Sequence, residues 1–163
     1  MRTILRILVI GAIVIVMPVL VFIGLYSLGY RIYQFPGHSM QPTIRDSENF
    51  VGRLSTSYRK RIERFDIAIY QSNRLNPQIY AKRVIGLSGE RVIIAGDSIA
   101  IDGAPIALPQ ALDRTGLKSK RCDVTVPKDA IFILGDYTSD SVDSRWTGPI
   151  WKDDIIGYVV FKK

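Results

Sequence analysis

Residues 7–30 read ILVIGAIVIVMPVLVFIGLYSLGY, an apolar run without a single charged position. A helix over this run would be about 36 Å long, enough to cross a hydrocarbon core of roughly 30 Å with some tilt. Pro18 removes one amide donor inside it and predicts a kink, which a membrane helix tolerates. Tyr26, Tyr30 and Tyr33 fall where an interfacial aromatic belt belongs. A cleavable secretory signal is the competing reading, but its apolar core is normally about 7–15 residues. Ser27-Leu28-Gly29 offers only a weak cleavage pattern. The pattern therefore predicts an uncleaved anchor over residues 7–30, a short cytoplasmic segment over 1–6 and an extracytoplasmic domain over 31–163. Arg2 and Arg6 against Arg31 and Arg45 give only a slight bias toward a cytoplasmic N-terminus.

Beyond the apolar run the long period vanishes and short β-rich runs take over. Strands are expected at residues 50–54, 66–71, 79–85, 91–95, 98–101, 123–126, 131–134 and 156–161. Gly96-Asp97 and Asp102-Gly103 punctuate RVIIAGDSIAIDGAPI as two consecutive tight hairpins. Strands so short, separated by Gly and Asp, predict a mainly β, mostly antiparallel domain. The segments STSYRKRIERF and ALPQALDRTGLKSKR read as polar connections, the second as an exposed loop.

Charge modifies this picture little. The chain carries a net +7, and all but two of its 22 Lys and Arg, Arg2 and Arg6, follow residue 30. That balance suits a domain beside an anionic membrane surface. No recognition motif or dense basic run points to nucleic acid. One cysteine, Cys122, excludes an intrachain disulfide framework, and a single histidine leaves too few soft ligands for a Cys/His zinc site. No cofactor or metal is expected. Cys122 is expected to pack rather than react.

The chemistry begins at FPGHSMQPTI, where His38 directly precedes Ser39. A serine nucleophile needs a base within hydrogen-bond reach. Neighbours in an extended segment point to opposite faces, so His38 is expected to be a bystander. Lysine is then the remaining base. In IYAKRVIGLSGERV, Lys82 shares a strand face with Tyr80 and Val84. An ordinary lysine is neutral in only about one molecule in 2,500 at pH 7, so the role requires burial. An exposed strand lysine beside Arg83 is the alternative that spacing leaves open. A third segment, LGDYTSDSVDSRWTGP, places Asp143 and Arg145 where they could pair, with Ser141 or Ser144 able to bond an amine.

Taken in order, these segments resemble the type I signal peptidase family of membrane-bound Ser–Lys endopeptidases. GHSMQPT is similar to the family's nucleophile box, RFDIAIY to its Arg-x-Asp strand with Arg64 and Asp66 in place, YAKRVIGLSGERV to its lysine box, and GDYTSDSVDSRWTG to its last box. The resemblance implies Ser39 as nucleophile, Lys82 as general base and Ser141 as the group orienting the lysine amine. It further implies an Asp143–Arg145 ion pair supporting the site, with Asp136 in the same structural box and Met40 positioning the nucleophile segment. The oxyanion would be held by the Ser39 backbone N–H and a donor at position 37, which here is Gly37 and offers no side chain. The sequence also departs from the family at Tyr137-Thr138-Ser139-Asp140, where an Asn-Arg-Asp-Asn run is frequent, and at Ser88, where proline is frequent. The implied partners are signal-peptide-bearing preproteins and membrane lipid. A related peptidase maturing pilin or conjugation proteins would keep the same residues. A non-enzymatic membrane-anchored β module would leave Ser39 and Lys82 far apart.

Overall fold

Alternation along a strand fixes which face each side chain takes, but only pairing decides which strands become neighbours. The structure, a computed structural model, describes residues 2–34, 36–54, 62–72 and 78–162. Phe35 and residues 55–61 of the first polar connection lie outside the described residues. Helix α1 (Arg2–Ser27) contains Pro18, and its segment Val9–Ser27 has a mean hydropathy of 2.7 with none of it buried. By length and composition that segment could cross a membrane. The helix stops at Gly29, whose φ of 85° is open to glycine at little cost, with Gly29 N–H donating to the Tyr26 carbonyl at 3.1 Å.

Strand β1 (Tyr30–Tyr33) follows at once, in a stretch expected to hold the interfacial tyrosines. The trio is therefore divided between two elements. Tyr26 stays on the helix under the Arg31 guanidinium, 3.4 Å from its ring centre, while Tyr33 stacks on Phe50 at 5.8 Å. The remaining strands are β2 (Phe50–Leu54), β3 (Ile67–Gln71), β4 (Ile79–Gly86), β5 (Arg91–Ala95), β6 (Ser98–Ile101), β7 (Ala104–Pro105), β8 (Cys122–Thr125), β9 (Ala130–Leu134), β10 (Ile150–Trp151) and β11 (Ile155–Lys162). A one-turn helix, α2 (Ser144–Thr147), lies between β9 and β10. The fold is mainly antiparallel β, as expected. Strands β1 and β10 are not expected from the sequence, because each is short or borders an element of different pattern.

The larger sheet has the order β1-β2-β11-β3-β4-β9-β10, and the smaller has β7-β6-β5-β8. The two expected hairpins form. Ala95 pairs with Ser98 around Gly96-Asp97, and Ile101 pairs with Ala104 around Asp102-Gly103. Asp102 and Gly103 have φ of 51° and 85°, the signature of a two-residue turn whose twist matches the strands.

Two sheet relations place the chemistry. Strand β4 lies between β3 and β9, with Arg83 opposite Leu134. The segment following β9 thus begins beside the strand that carries Lys82. Beneath them, Met40, Ile44, Phe50, Ile69 and Ala81 form one apolar cluster. A separate cluster under the smaller sheet gathers Val92, Ile94, Ile99, Leu112, Leu117 and Phe132. Leu112 and Leu117 belong to the connection expected to be an exposed loop. That expectation is corrected here: the segment's polar residues face out, but its leucines are core.

Candidate active site

The nucleophile segment crosses from β1 to β2 as a tight turn. Gln41 N–H donates to the His38 carbonyl at 2.9 Å, and Ile44 N–H to the Met40 carbonyl at 2.8 Å. Met40 and Ile44 are both buried, so their side chains pin the turn to the core and leave Ser39 half-buried at its crest. Gly37 has a φ of 126°, a conformation that favours glycine, and its N–H donates to Asp46 Oδ1 at 2.7 Å. The hydrogen bond that the His38 ring makes goes to Gln41 and not to the serine. The ring Nδ1 lies 2.9 Å from Gln41 Nε2, in a solvent-exposed contact.

Lys82 is 3% exposed. Its Nζ donates to Ser39 Oγ in a direct hydrogen bond that joins positions 43 apart in the chain. The exposed-lysine alternative is thereby set aside, and so is the separation that the non-enzymatic module required. Burial pushes the Lys82 ammonium down to about 8, although Asp143, Asp136 and Asp140 pull it up and Arg145 adds to the lowering. With that value about one molecule in ten holds a neutral amine at pH 7, about two hundred times the fraction for a solvated lysine.

The segment after β9 supplies the walls. Asp143 caps α2 by accepting from Arg145 N–H at 3.2 Å, and its Oδ1 also accepts from Arg145 Nε at 2.8 Å. Both side chains are fully buried. A buried ion pair needs its remaining donors satisfied, and Arg145 does this through the carbonyls of Gly116 and Thr138, each at 2.7 Å. Gly135 N–H donates to Asp143 Oδ2 at 3.1 Å, and Ser144 Oγ accepts from Ile133 N–H at 2.9 Å. Ser144 is thus committed to the backbone. Ser141 Oγ is, among the described residues, the buried side-chain polar atom that lacks a hydrogen-bond partner. A Cβ on Gly135 would overlap both Ser141 Oγ and the Ser39 carbonyl oxygen, so these two groups converge in front of that glycine. Tyr137 N–H donates to the same Ser39 carbonyl at 3.0 Å and ties the nucleophile turn to this segment.

Asp136, expected only as part of the last box, has a definite partner. Arg83 Nε and Nη2 donate to its two carboxylate oxygens at 2.6 Å each, and Nη2 also reaches Thr43 Oγ1 at 3.2 Å. Sequence reasoning missed Arg83 and Thr43 as site supports. The signal was present in the lysine box itself: in YAKRVIG apolar residues flank both charges, so a strand covered on both faces must pair Arg83 as well as bury Lys82. Arg64 was named without a function. It donates to both oxygens of Glu90, at 2.9 and 2.7 Å, and to the Ile85 carbonyl at 2.6 Å, which staples the turn leaving β4.

Pro36, His38, Ser39, Tyr80, Lys82, Asp140 and Val142 line an open cleft of about 420 Å³. Its floor includes Met40, Ile44 and Ala81, which are apolar and buried. A peptide laid in this cleft would meet a serine hydroxyl, a buried lysine amine hydrogen-bonded to it and an apolar floor. Among the described residues no cluster of His, Cys, Asp and Glu is arranged to hold a metal ion. Cys122 is buried, and burial raises its thiol pKa.

Comparison with known proteins gives a consistent result. A family model described as signal peptidase, peptidase S26, matches residues 4–162. Signal peptidase I P of Bacillus subtilis subsp. natto is 32% identical over 152 residues, covering 88% of this chain and 81% of the relative. Signal peptidase I of Bacillus amyloliquefaciens is 34% identical over 137 residues, covering 78% of this chain and 70% of the relative. The crystal structure of a signal peptidase I from Enterococcus faecalis V583 superposes with a TM-score of 0.54 at 29% identity, covering 62% of this chain and 98% of that one.

Proposed function

The chain belongs to the signal peptidase family, peptidase S26, and from that premise we propose how its residues carry out the reaction. It is a serine endopeptidase of the signal peptidase I type, which removes signal peptides. Ser39 is the nucleophile and Lys82 the general base. The observation that carries this assignment is the contact between Lys82 Nζ and Ser39 Oγ at a lysine that is almost fully buried.

In the first step neutral Lys82 takes the Ser39 proton as Oγ attacks the scissile carbonyl carbon. The carbonyl π electrons move onto oxygen, and the Ser39 N–H is placed to receive that charge. Gly37 N–H is committed to Asp46, so Asp46 fixes the backbone beside this donor rather than leaving Gly37 free to donate. The ammonium of Lys82 then protonates the departing amine as the C–N bond breaks. In the second step the lysine removes a proton from water, and the acyl ester is hydrolysed to free the serine. Ser141, whose buried hydroxyl has no partner among the described residues, accepts from the Lys82 amine when Ser39 is acylated. The Asp143–Arg145 and Arg83–Asp136 pairs hold the two walls in place without touching the reacting atoms.

The substrates are exported preproteins cut after small residues, a preference that the family resemblance implies and that the apolar cleft floor fits. The apolar helix α1 anchors the enzyme in the membrane in a single pass, with residues 1–6 in the cytoplasm and the β domain outside. Cleavage of a model preprotein by the purified full chain tests the assignment. Ser39→Ala and Lys82→Ala should each abolish processing while retaining the far-ultraviolet signature of the β domain. Turnover by a folded Lys82→Ala protein would remove the lysine from the mechanism.

A further inference from the structure

The connection between β7 and β8 has no role in the reaction as written above, yet one part of it is bonded to the catalytic wall at every turn. Asp113 is the centre of this contact. Its Oδ1 accepts from Thr115 N–H at 2.9 Å and from Thr115 Oγ1 at 2.7 Å, and its Oδ2 accepts from Ser139 Oγ at 2.7 Å. Thr115 Oγ1 and Ser139 Oγ also lie 2.9 Å apart. The Asp113 backbone adds two more bonds: its N–H donates to the Asp136 carbonyl at 2.7 Å, and its carbonyl accepts from Thr138 Oγ1 at 2.6 Å. Three residues on, the Gly116 carbonyl receives Arg145 Nη1. Gly116 lies so close that a Cβ would overlap the backbone of Thr138 and Ser139.

These contacts converge on Thr138–Asp140, a single 3-10 turn without a side-chain cap of its own. Ser141 leaves that turn directly, as its C-terminal flanking residue in extended conformation. One turn of 3-10 helix has few internal bonds to hold it, so its path depends on what grips it from outside. Thr138 and Ser139 stand where the family frequently has larger polar residues, and their two hydroxyls are the ones that Asp113 engages.

We propose that the Asp113 side chain is a positioning group for the peptidase reaction: by holding Ser139, and bracing its own segment through Thr115, it sets the place of the Ser141 hydroxyl beside the Ser39–Lys82 pair. This rests on the reading of Ser141 as the partner of the Lys82 amine. Burial alone would raise the Asp113 carboxyl, but the bonds from Thr115 and Ser139 more than reverse this and hold it down to about 2. The clamp is therefore charged and closed throughout the pH range in which Lys82 titrates.

The test is a double-mutant cycle on the full chain in detergent, with Asp113→Ala, Ser141→Ala and the pair assayed on a peptide spanning a cleavage site with small residues. Both backbone bonds of Asp113 survive its replacement by alanine. Asp113→Ala should lower kcat about 10- to 100-fold with KM little changed, the effect expected of a small displacement at a reacting centre. It should cost almost nothing further in the Ser141→Ala background, because both changes act through one hydroxyl. Lys82 faces Asp143, Asp136, Asp140 and Arg145; as the turn loosens and water enters, the acid limb of the kcat/KM profile should move to higher pH. Simple destabilisation would reduce the amount of active enzyme and leave that limb in place. Ser139→Ala, which deletes one arm only, should give a smaller change of the same kind and serves if Asp113→Ala does not fold. Additive losses, or an unmoved acid limb, would overturn the clamp. Full activity of Ser141→Ala would overturn the site reading beneath it, whereas an impaired Ser141→Ala beside normal Asp113→Ala and Ser139→Ala enzymes would overturn the clamp alone.

Discussion

Replacing Lys82 by methionine should make the protein more stable while abolishing its activity. The lysine titrates at about 8 in the fold against 10.5 for its ordinary value. In that interval the unfolded chain binds more protons than the folded one, so wild-type stability rises with pH. Below about pH 8 both states are protonated and the fold bears the whole cost of a buried ammonium, about 3 kcal/mol at 1.36 kcal/mol per pH unit. Above about pH 10.5 both states are neutral and the cost has vanished. Methionine keeps the unbranched stem and fills the same space without a charge. It forfeits the bond to Ser39, worth about 0.5–1.5 kcal/mol net, so the gain near pH 6.5 should be about 2 kcal/mol. The pH dependence is the sharper quantity: between about pH 6.5 and pH 9.5 the difference between variant and wild type should shrink by about 2 kcal/mol. Urea unfolding of both proteins in the same detergent, at the two pH values, measures it as a shift in midpoint at constant slope. A methionine variant that is less stable near neutrality, or a difference that does not change with pH, would refute the depressed pKa and the mechanism built on it.

Two further outcomes follow from the same geometry. If Lys82 is the base as proposed, the kcat/KM profile should fall about tenfold per pH unit below an apparent pKa of about 8 as the amine is protonated; a flat profile through that region would exclude a neutral lysine. Gly135→Ala should reduce turnover by about 10² or more with the β domain still folded, since its Cβ must displace the Ser39 carbonyl or the Ser141 hydroxyl. Near-normal activity there would mean that the catalytic wall yields more readily than its hydrogen bonds imply.

Much of this protein was determined by sequence alone. A long apolar run with no charge predicts a helix of membrane-spanning length, and α1 occupies most of it. Strands β2, β5 and β6 have the limits expected from alternation and turn residues, because both signals are local. The pairing of Asp143 with Arg145 is likewise local, two positions apart across a helix cap. Tertiary structure decided the rest. It set β11 between β2 and β3, which no short-range pattern specifies, and so brought the last strand into the middle of the sheet. It buried Lys82 and Arg83 side by side on one strand and gave them different fates, one with a serine and one with Asp136. It also bonded a polar connection to the segment after β9 through Asp113 and Gly116. A residue's charge and its place in the chain are fixed by sequence, but its pKa depends on how much water its neighbours exclude, and those neighbours come together only in the fold.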